Sequence, residues 1–182
     1  AIEKVILFGD SLMAGYGLPN EQHLSVVLQN YLSLEGHNIE VINGSVSGST
    51  TAGGLNIAEW TLSENNIDLM ILCLGANDML RGINPKETKN NLIEIIKIAK
   101  SKNIKVIIAG MIAPTSHGSN YKKSFDKIFE DLSNEYELQL IPFLLEGVAQ
   151  KPEFNLSDGM HPNDKGTIII GKTLKEAILK NL

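Results

Sequence analysis

Apolar residues fall along this 182-residue chain in two alternating rhythms. Short unbroken runs rich in β-branched residues, Val5–Phe8, Ile39–Ile42, Leu69–Leu74 and Val106–Ala109, read as strands buried on both faces. A weaker run of the same kind, Leu138–Ile141, stops at Pro142. Between the runs, apolar residues recur every three to four positions, the period of a helix with one covered face. Leu24 to Glu35 carries Val27, Leu28, Tyr31 and Leu32 on one stripe, and Gly36 is placed to end it. A less regular helix is expected from Leu55 to about Asn65. Beyond it the signals sharpen: Asn84 can cap, Pro85 suits the first helical position, Glu87 has capping-box spacing, and Leu92, Ile95, Ile96 and Ala99 line one face. Two more helices are expected over about Tyr121–Tyr136, with Phe125, Ile128, Phe129 and Leu132 inward, and over about Lys165–Asn181, docked through Ile170, Leu174, Ala177 and Ile178.

This alternation predicts an α/β fold, a three-layer α/β/α sandwich around a mostly parallel five-stranded sheet. No repeat, low-complexity tract or linker interrupts it, so residues 1–182 read as a single domain. Glycine and small polar residues gather at the strand exits, in residues 9–17, 43–54, 75–82, 114–119 and 157–163. In a parallel sheet such exits share one edge, and the five loops should converge.

Composition narrows the function classes. With 43% hydrophobic and 20% charged residues the chain is ordinary for a globular protein, and its length can bury a core without a disulfide or metal staple. No apolar run approaches the ~20 residues that span a bilayer, so no stable membrane insertion is expected. The net charge of −5 and scattered lysines argue against nucleic acid as a partner. Cys73 is the only cysteine and, inside an apolar run, reads as a small buried hydrophobe. Ala1 precedes the first strand by only four residues, with no leader-like segment between. A mature chain whose leader has been removed would begin in the same way and be periplasmic or secreted; otherwise the expectation is cytoplasmic. Oligomeric state is not encoded in these patterns, and a monomer of this size can be stable.

Candidate chemistry centres on Gly9-Asp10-Ser11-Leu12, directly after the first strand. A serine hydroxyl becomes a nucleophile only with a base, a group to orient the base, and donors for a developing oxyanion. Asp158-Gly159-Met160-His161-Pro162 can supply the first two, because Pro162 keeps His161 out of helical geometry and the three-residue spacing lets a turn bring the carboxylate to the imidazole. Taken alone, that segment is more simply a solvated turn. The loops Asn43–Thr50 and Gly75–Asp78 can offer backbone N–H groups and the Asn77 amide, although tight turns and helix capping would use the same residues. His23 and His37 read as surface residues. No histidine has metal-ligand spacing, and neither a metal nor another cofactor is expected.

Together these segments resemble the SGNH hydrolases, the GDSL-type esterases and lipases. Gly9-Asp10-Ser11-Leu12 is similar to the family's first block, Gly48 to the centre of its second, Gly75-Ala76-Asn77-Asp78 to its third and Asp158-Gly159-Met160-His161-Pro162 to its fifth, all in order. The flanking Ala14-Gly15-Tyr16 and Leu80-Arg81-Gly82 bring the chain nearest to a bacterial subgroup of arylesterases, thioesterases and lysophospholipases. Where that subgroup usually has Asp after Gly48, Ser49 stands here.

The resemblance implies Ser11 as nucleophile, His161 as base and Asp158 as its orienter, with an oxyanion hole from Ser11, Gly48 and Asn77. It also implies substrate contacts from Asp10, Leu12, Ala76, Pro114, His117 and Met160. The expected activity is hydrolysis of a small-molecule carboxylic ester, with thioesters as a further substrate. An O-acetyl esterase acting on carbohydrate or peptidoglycan is the alternative. A flavodoxin-like phosphate or nucleotide-binding module is the non-enzymatic one, weakened because the chain has neither Gly-x-Gly-x-x-Gly nor Gly-x-x-x-x-Gly-Lys-Ser/Thr.

Overall fold

A computed structural model of the chain describes residues 1–63 and 66–182. Five strands, β1 (Lys4–Gly9), β2 (Glu40–Asn43), β3 (Leu69–Cys73), β4 (Lys105–Ala109) and β5 (Gln139–Ile141), form one sheet in the order β2-β1-β3-β4-β5. Every neighbouring pair is parallel, with Val5 opposite both Val41 and Leu69, and Leu69 opposite Lys105. The central strands β1 and β3 are apolar on both faces and almost wholly buried, as sheets covered on both sides require.

Among the described residues, seven α-helices connect and cover the strands: α1 (Ser11–Ala14), α2 (Leu24–Leu34), α3 (Thr51–Thr61), α4 (Ala76–Leu80), α5 (Pro85–Ser101), α6 (Ser119–Tyr136) and α7 (Asp164–Leu179). α2 packs with α7, whereas α3 packs with α5 and α5 with α6. Right-handed crossovers explain the two groups, since the chain moves one way from β1 to β2 and the other way through β3, β4 and β5. The expected core faces of α5, α6 and α7 are the buried ones, from Leu92 and Ile95 to Leu174 and Ile178.

The helix expected from Leu55 begins four residues earlier, because Thr50 caps it by accepting the Gly53 N–H at 3.1 Å. Its expected end near Asn65 lies outside the described residues. The short helices α1 and α4 fall inside loops that read only as glycine-rich and polar; four and five residues are too few to display a helical period.

This topology fixes where a site can form. β1 and β3 are neighbours, yet the chain leaves β1 toward one edge of the sheet and β3 toward the other. The crevice between diverging connections at the carboxyl ends of such strands is the binding position of open α/β sheets. Ser11 follows β1 and Asn77 follows β3.

Candidate active site

Each loop at this crevice is held by its own bonds. After β1, Asp10 caps α1, its Oδ1 accepting the Leu12 N–H at 3.0 Å, which sets Ser11 on the first helical residue. Near the other end of the chain, Asn155 and Pro162 bridge antiparallel, and the Leu156 N–H donates to the His161 carbonyl at 2.7 Å. Buried Asn155 secures that turn by donating to the carbonyls of Val148 and Lys151, both at 2.8 Å, and Asn163 closes it by capping α7. Asp158 Oδ1 accepts the N–H groups of Met160 and His161 at 2.8 and 3.0 Å, folding the carboxylate back toward the imidazole.

The result is a continuous line of side chains. Ser11 Oγ lies 3.0 Å from His161 Nε2, and His161 Nδ1 lies 2.6 Å from Asp158 Oδ2. The hydrogen bond from His161, followed by the two backbone N–H groups, lowers the Asp158 carboxyl to about 2, so it remains ionised across the working range. With Asp158 accepting at Nδ1, the unprotonated Nε2 faces the serine hydroxyl.

A second cluster joins the loops after β2 and β3. Asn77 Nδ2 donates to the Ser49 carbonyl at 3.0 Å, which leaves its second N–H for another acceptor. Gly48, one residue earlier, adopts φ 79°, a left-handed conformation that glycine takes without strain, and its N–H has no protein partner among the described residues. Ser11 contributes the N–H of a first helical residue, which has no intrahelical partner. Below them, buried Asp78 accepts the Thr51 N–H at 2.8 Å, the Thr51 hydroxyl at 2.5 Å and the Thr88 hydroxyl at 2.8 Å. One carboxylate thereby fastens α3, α4 and α5 together.

Ser11 and His161 open onto a cleft of about 670 Å³, a volume suited to a small organic ligand. Asp10, Leu12, Ala76, Asn77, Pro114 and Met160 line it, as do Met111 and Ile112 of the loop whose position resembles the family's acyl-pocket segment, together with apolar residues that the sequence pattern does not assign to a site, notably Phe143 and Leu145. The signal for these two is the apolar stretch Phe143-Leu144-Leu145, but apolar residues in a loop look like core until the cleft is seen. His117, expected as a substrate contact, lies outside the lining: it packs against Tyr121 with ring centroids 5.1 Å apart and lies beside Gly82. Gly48 is likewise not part of the cleft wall. His23 is half-buried rather than simply solvated, with Nε2 3.0 Å from the Leu18 carbonyl oxygen. Cys73 is buried in β3, where burial and then the Asp10 charge push its thiol well above its ordinary range and leave it inert.

Asp10 is the least comfortable group in the site. It is 1% exposed, Oδ2 has no hydrogen-bond partner among the described residues, and burial raises its carboxyl from 3.8 to about 6 against the opposing pull of the Leu12 N–H.

A strand-exit serine bonded to a histidine, itself bonded to a carboxylate, at the mouth of an apolar cleft, is the arrangement of a serine hydrolase. Residues 7–167 match the GDSL-like Lipase/Acylhydrolase family. The chain is 37% identical over 182 residues to an arylesterase of Vibrio mimicus, covering 100% of this chain and 91% of that protein. It is 31% identical over 163 residues to the thioesterase 1/protease 1/lysophospholipase L1 of Escherichia coli K12, covering 90% of this chain and 77% of that one. Among solved structures, the psychrotrophic esterase EstA from Pseudoalteromonas sp., inhibited by monoethylphosphonate, superimposes with a TM-score of 0.93 at 30% identity over 98% of this chain and 97% of its own. The chain belongs to the GDSL-like lipase/acylhydrolase family, the SGNH hydrolases, and is an enzyme of the carboxylic ester hydrolase class.

Proposed function

We propose that this hydrolase cleaves small-molecule esters of apolar carboxylic acids through an acyl-enzyme on Ser11, with the acyl chain lying in the cleft between the loops after β3, β4 and β5. The Ser11 Oγ to His161 Nε2 to Asp158 Oδ2 line, ending at the mouth of that cleft, is the observation that carries the proposal. Ser11 Oγ attacks the ester carbonyl as its proton passes to His161 Nε2. The carbonyl π pair moves onto oxygen, where the Ser11 and Gly48 N–H groups and the free Asn77 N–H are the proposed donors. Collapse breaks the bond to the leaving alkoxide, which takes the proton from His161. Water then attacks the acyl-serine ester by the same route, and the acid departs as Ser11 regains its proton.

Asp158 keeps the imidazole in the tautomer that accepts at Nε2 and stabilises the imidazolium formed in both steps. The apolar walls favour an acyl chain longer than acetyl over a sugar-bound acetate, because a carbohydrate would leave its hydroxyl groups without partners against Met111, Ile112, Phe143 and Leu145. A thioester presents the same carbonyl carbon and the same developing oxyanion, so acyl thioesters fit this site as well.

The assignment is tested by incubation with a p-nitrophenyl alkylphosphonate. One equivalent of p-nitrophenolate should be released as activity disappears, with the phosphonyl mass on the peptide that carries Ser11. Complete inactivation with the label on any other residue would contradict the assignment.

A further inference from the structure

The ring of Tyr16 lies over the imidazole of His161, with centroids 4.2 Å apart and planes inclined by 33°. Nothing in the proton-transfer line uses this contact. Tyr16 is 49% exposed, so it is not held there by burial in the core.

The backbone that carries it is a short, hydrogen-bonded turn. The Leu18 N–H donates to the Gly15 carbonyl at 3.0 Å, closing a four-residue turn with Tyr16 at its first corner. Gly17 at the second corner has φ 77°, the left-handed angle that a type II turn requires there. Gly15, at φ 89°, ends α1 and leaves room for the ring of His23, which a Cβ at position 15 would approach to 2.3 Å. His23 in turn reaches the Leu18 carbonyl at 3.0 Å, and Asn43 Nδ2 donates to the Ala14 carbonyl at 3.1 Å. The backbone on either side of Tyr16 is thus tied down, and the exposed ring that it carries rests against the imidazole.

The chemistry of such a contact is specific. An aromatic face carries a negative quadrupole, so it attracts an imidazolium more strongly than a neutral imidazole. In the proposed mechanism His161 is neutral at rest and cationic only in the transition states of acylation and deacylation. An interaction that strengthens when the charge appears lowers the barrier without tightening ground-state binding. The other charged or titratable groups around the imidazole are Asp158, from its own turn, and Asp10, at the end of β1. Both are carboxylates that also favour the cation.

We propose that Tyr16 is a positioning residue for the catalytic base, its ring held over His161 to stabilise the imidazolium formed during turnover and to fix the imidazole plane toward Ser11. The proposal rests on the reading of His161 as base, and its test has a readout that does not need turnover.

The imidazole carbon-bound proton of His161 is followed by NMR against pH in the wild type, Tyr16→Leu and Tyr16→Phe, its signal assigned by its loss in His161→Gln. The titration midpoint should fall by about half a pH unit in Tyr16→Leu and stay within about 0.2 unit in Tyr16→Phe, as expected for a partly exposed cation–π contact. A ring that merely covered the histidine would give the opposite sign, because its removal admits water and favours the charged form. A midpoint that rises or stays fixed in Tyr16→Leu, or falls equally in Tyr16→Phe, overturns the proposal. In parallel, kcat on p-nitrophenyl butyrate should drop about 2- to 5-fold in Tyr16→Leu with KM little changed, and the acid limb of kcat/KM should move down with the NMR midpoint. A wild type that titrates as described yet hydrolyses no ester would instead overturn the assignment of His161 as base, leaving the ring contact established.

Discussion

Asn77 and Ser49 are joined through the side chain of one and the main chain of the other: Asn77 Nδ2 donates to the Ser49 carbonyl oxygen at 3.0 Å. The bond ties the loop after β3 to the loop after β2 and orients the remaining Asn77 N–H. It asks nothing of the side chain at position 49, whose hydroxyl, among the described residues, bonds only to the neighbouring Thr50 carbonyl. The loop therefore keeps its tie without a carboxylate at that position. Asn77→Ala removes both the tie and a proposed oxyanion donor, and kcat on p-nitrophenyl butyrate should fall by about 10²–10³ with a much smaller change in KM. Ser49→Ala should keep kcat within about twofold; a loss comparable to that of Asn77→Ala would show that the residue 49 side chain, not its backbone, organises the loop.

Asp78 is the anchor beneath this pair. Replacing it with Ala strands the Thr51 N–H and the hydroxyls of Thr51 and Thr88, all facing a buried carboxylate in the native protein. Asp78→Ala should lower the unfolding free energy in urea by about 3–5 kcal/mol, because it leaves three buried donors unpaired at about 1–3 kcal/mol each. A loss below about 1 kcal/mol would mean that the network contributes nothing beyond its volume.

Asp10 should leave its mark on the pH dependence of stability. Burial raises its carboxyl from 3.8 to about 6, so between these values the folded protein holds a proton that the unfolded chain has released. Its contribution is fully present below about 3.8 and is lost as pH rises through about 6. A tenfold change in proton affinity is worth roughly 1.4 kcal/mol, so the loss amounts to about 3 kcal/mol. Asp10→Asn keeps an acceptor for the Leu12 N–H and cannot ionise. The difference in unfolding free energy between Asp10→Asn and wild type should therefore grow in favour of the variant from pH 4 to pH 6.5 and then level off. A difference that is flat across this range would contradict the burial of an ionisable Asp10 carboxyl.

The apolar cleft predicts a dependence on acyl length. Across p-nitrophenyl esters from acetate to palmitate, kcat/KM should rise beyond acetate as the chain covers Met111, Ile112 and Leu145, each buried methylene adding a favourable increment. Leu145→Trp should fill part of the cleft and move the maximum to shorter chains while leaving acetate hydrolysis within about threefold. A rate that is greatest on acetate in the wild type would favour the O-acetyl esterase alternative.

Much of this was legible in the chain. The β-branched runs marked the strands, and the glycine and polar clusters at their exits marked the edge where the site forms, because each strand's exit is a local signal. Ser11, Asp158, His161 and Asn77 could be picked out since a hydroxyl, a carboxylate, an imidazole and an amide are chemically distinctive. Thr51, Thr88 and the cleft-lining Phe143 and Leu145 could not, because a threonine that bonds a distant carboxylate and an apolar loop residue resemble ordinary core. His117 was misleading for a related reason: a loop histidine near a predicted pocket carries no sign of which way it faces, and here it turns toward Tyr121 and Gly82. The contact of Tyr16 with His161 depends on residues at opposite ends of the chain meeting in space, which no local pattern encodes.

The proposed acyl-enzyme is tested most directly by Ser11→Ala assayed on p-nitrophenyl butyrate, with folding verified by circular dichroism. The Ser11 side chain is partly buried and, among the described residues, hydrogen-bonds only to His161 Nε2, so the variant should fold as the wild type does. Its kcat should fall by at least about 10⁴, the scale on which a serine nucleophile contributes once binding and oxyanion stabilisation are left in place. A folded Ser11→Ala protein that retained wild-type turnover would contradict the assignment of Ser11 as the nucleophile.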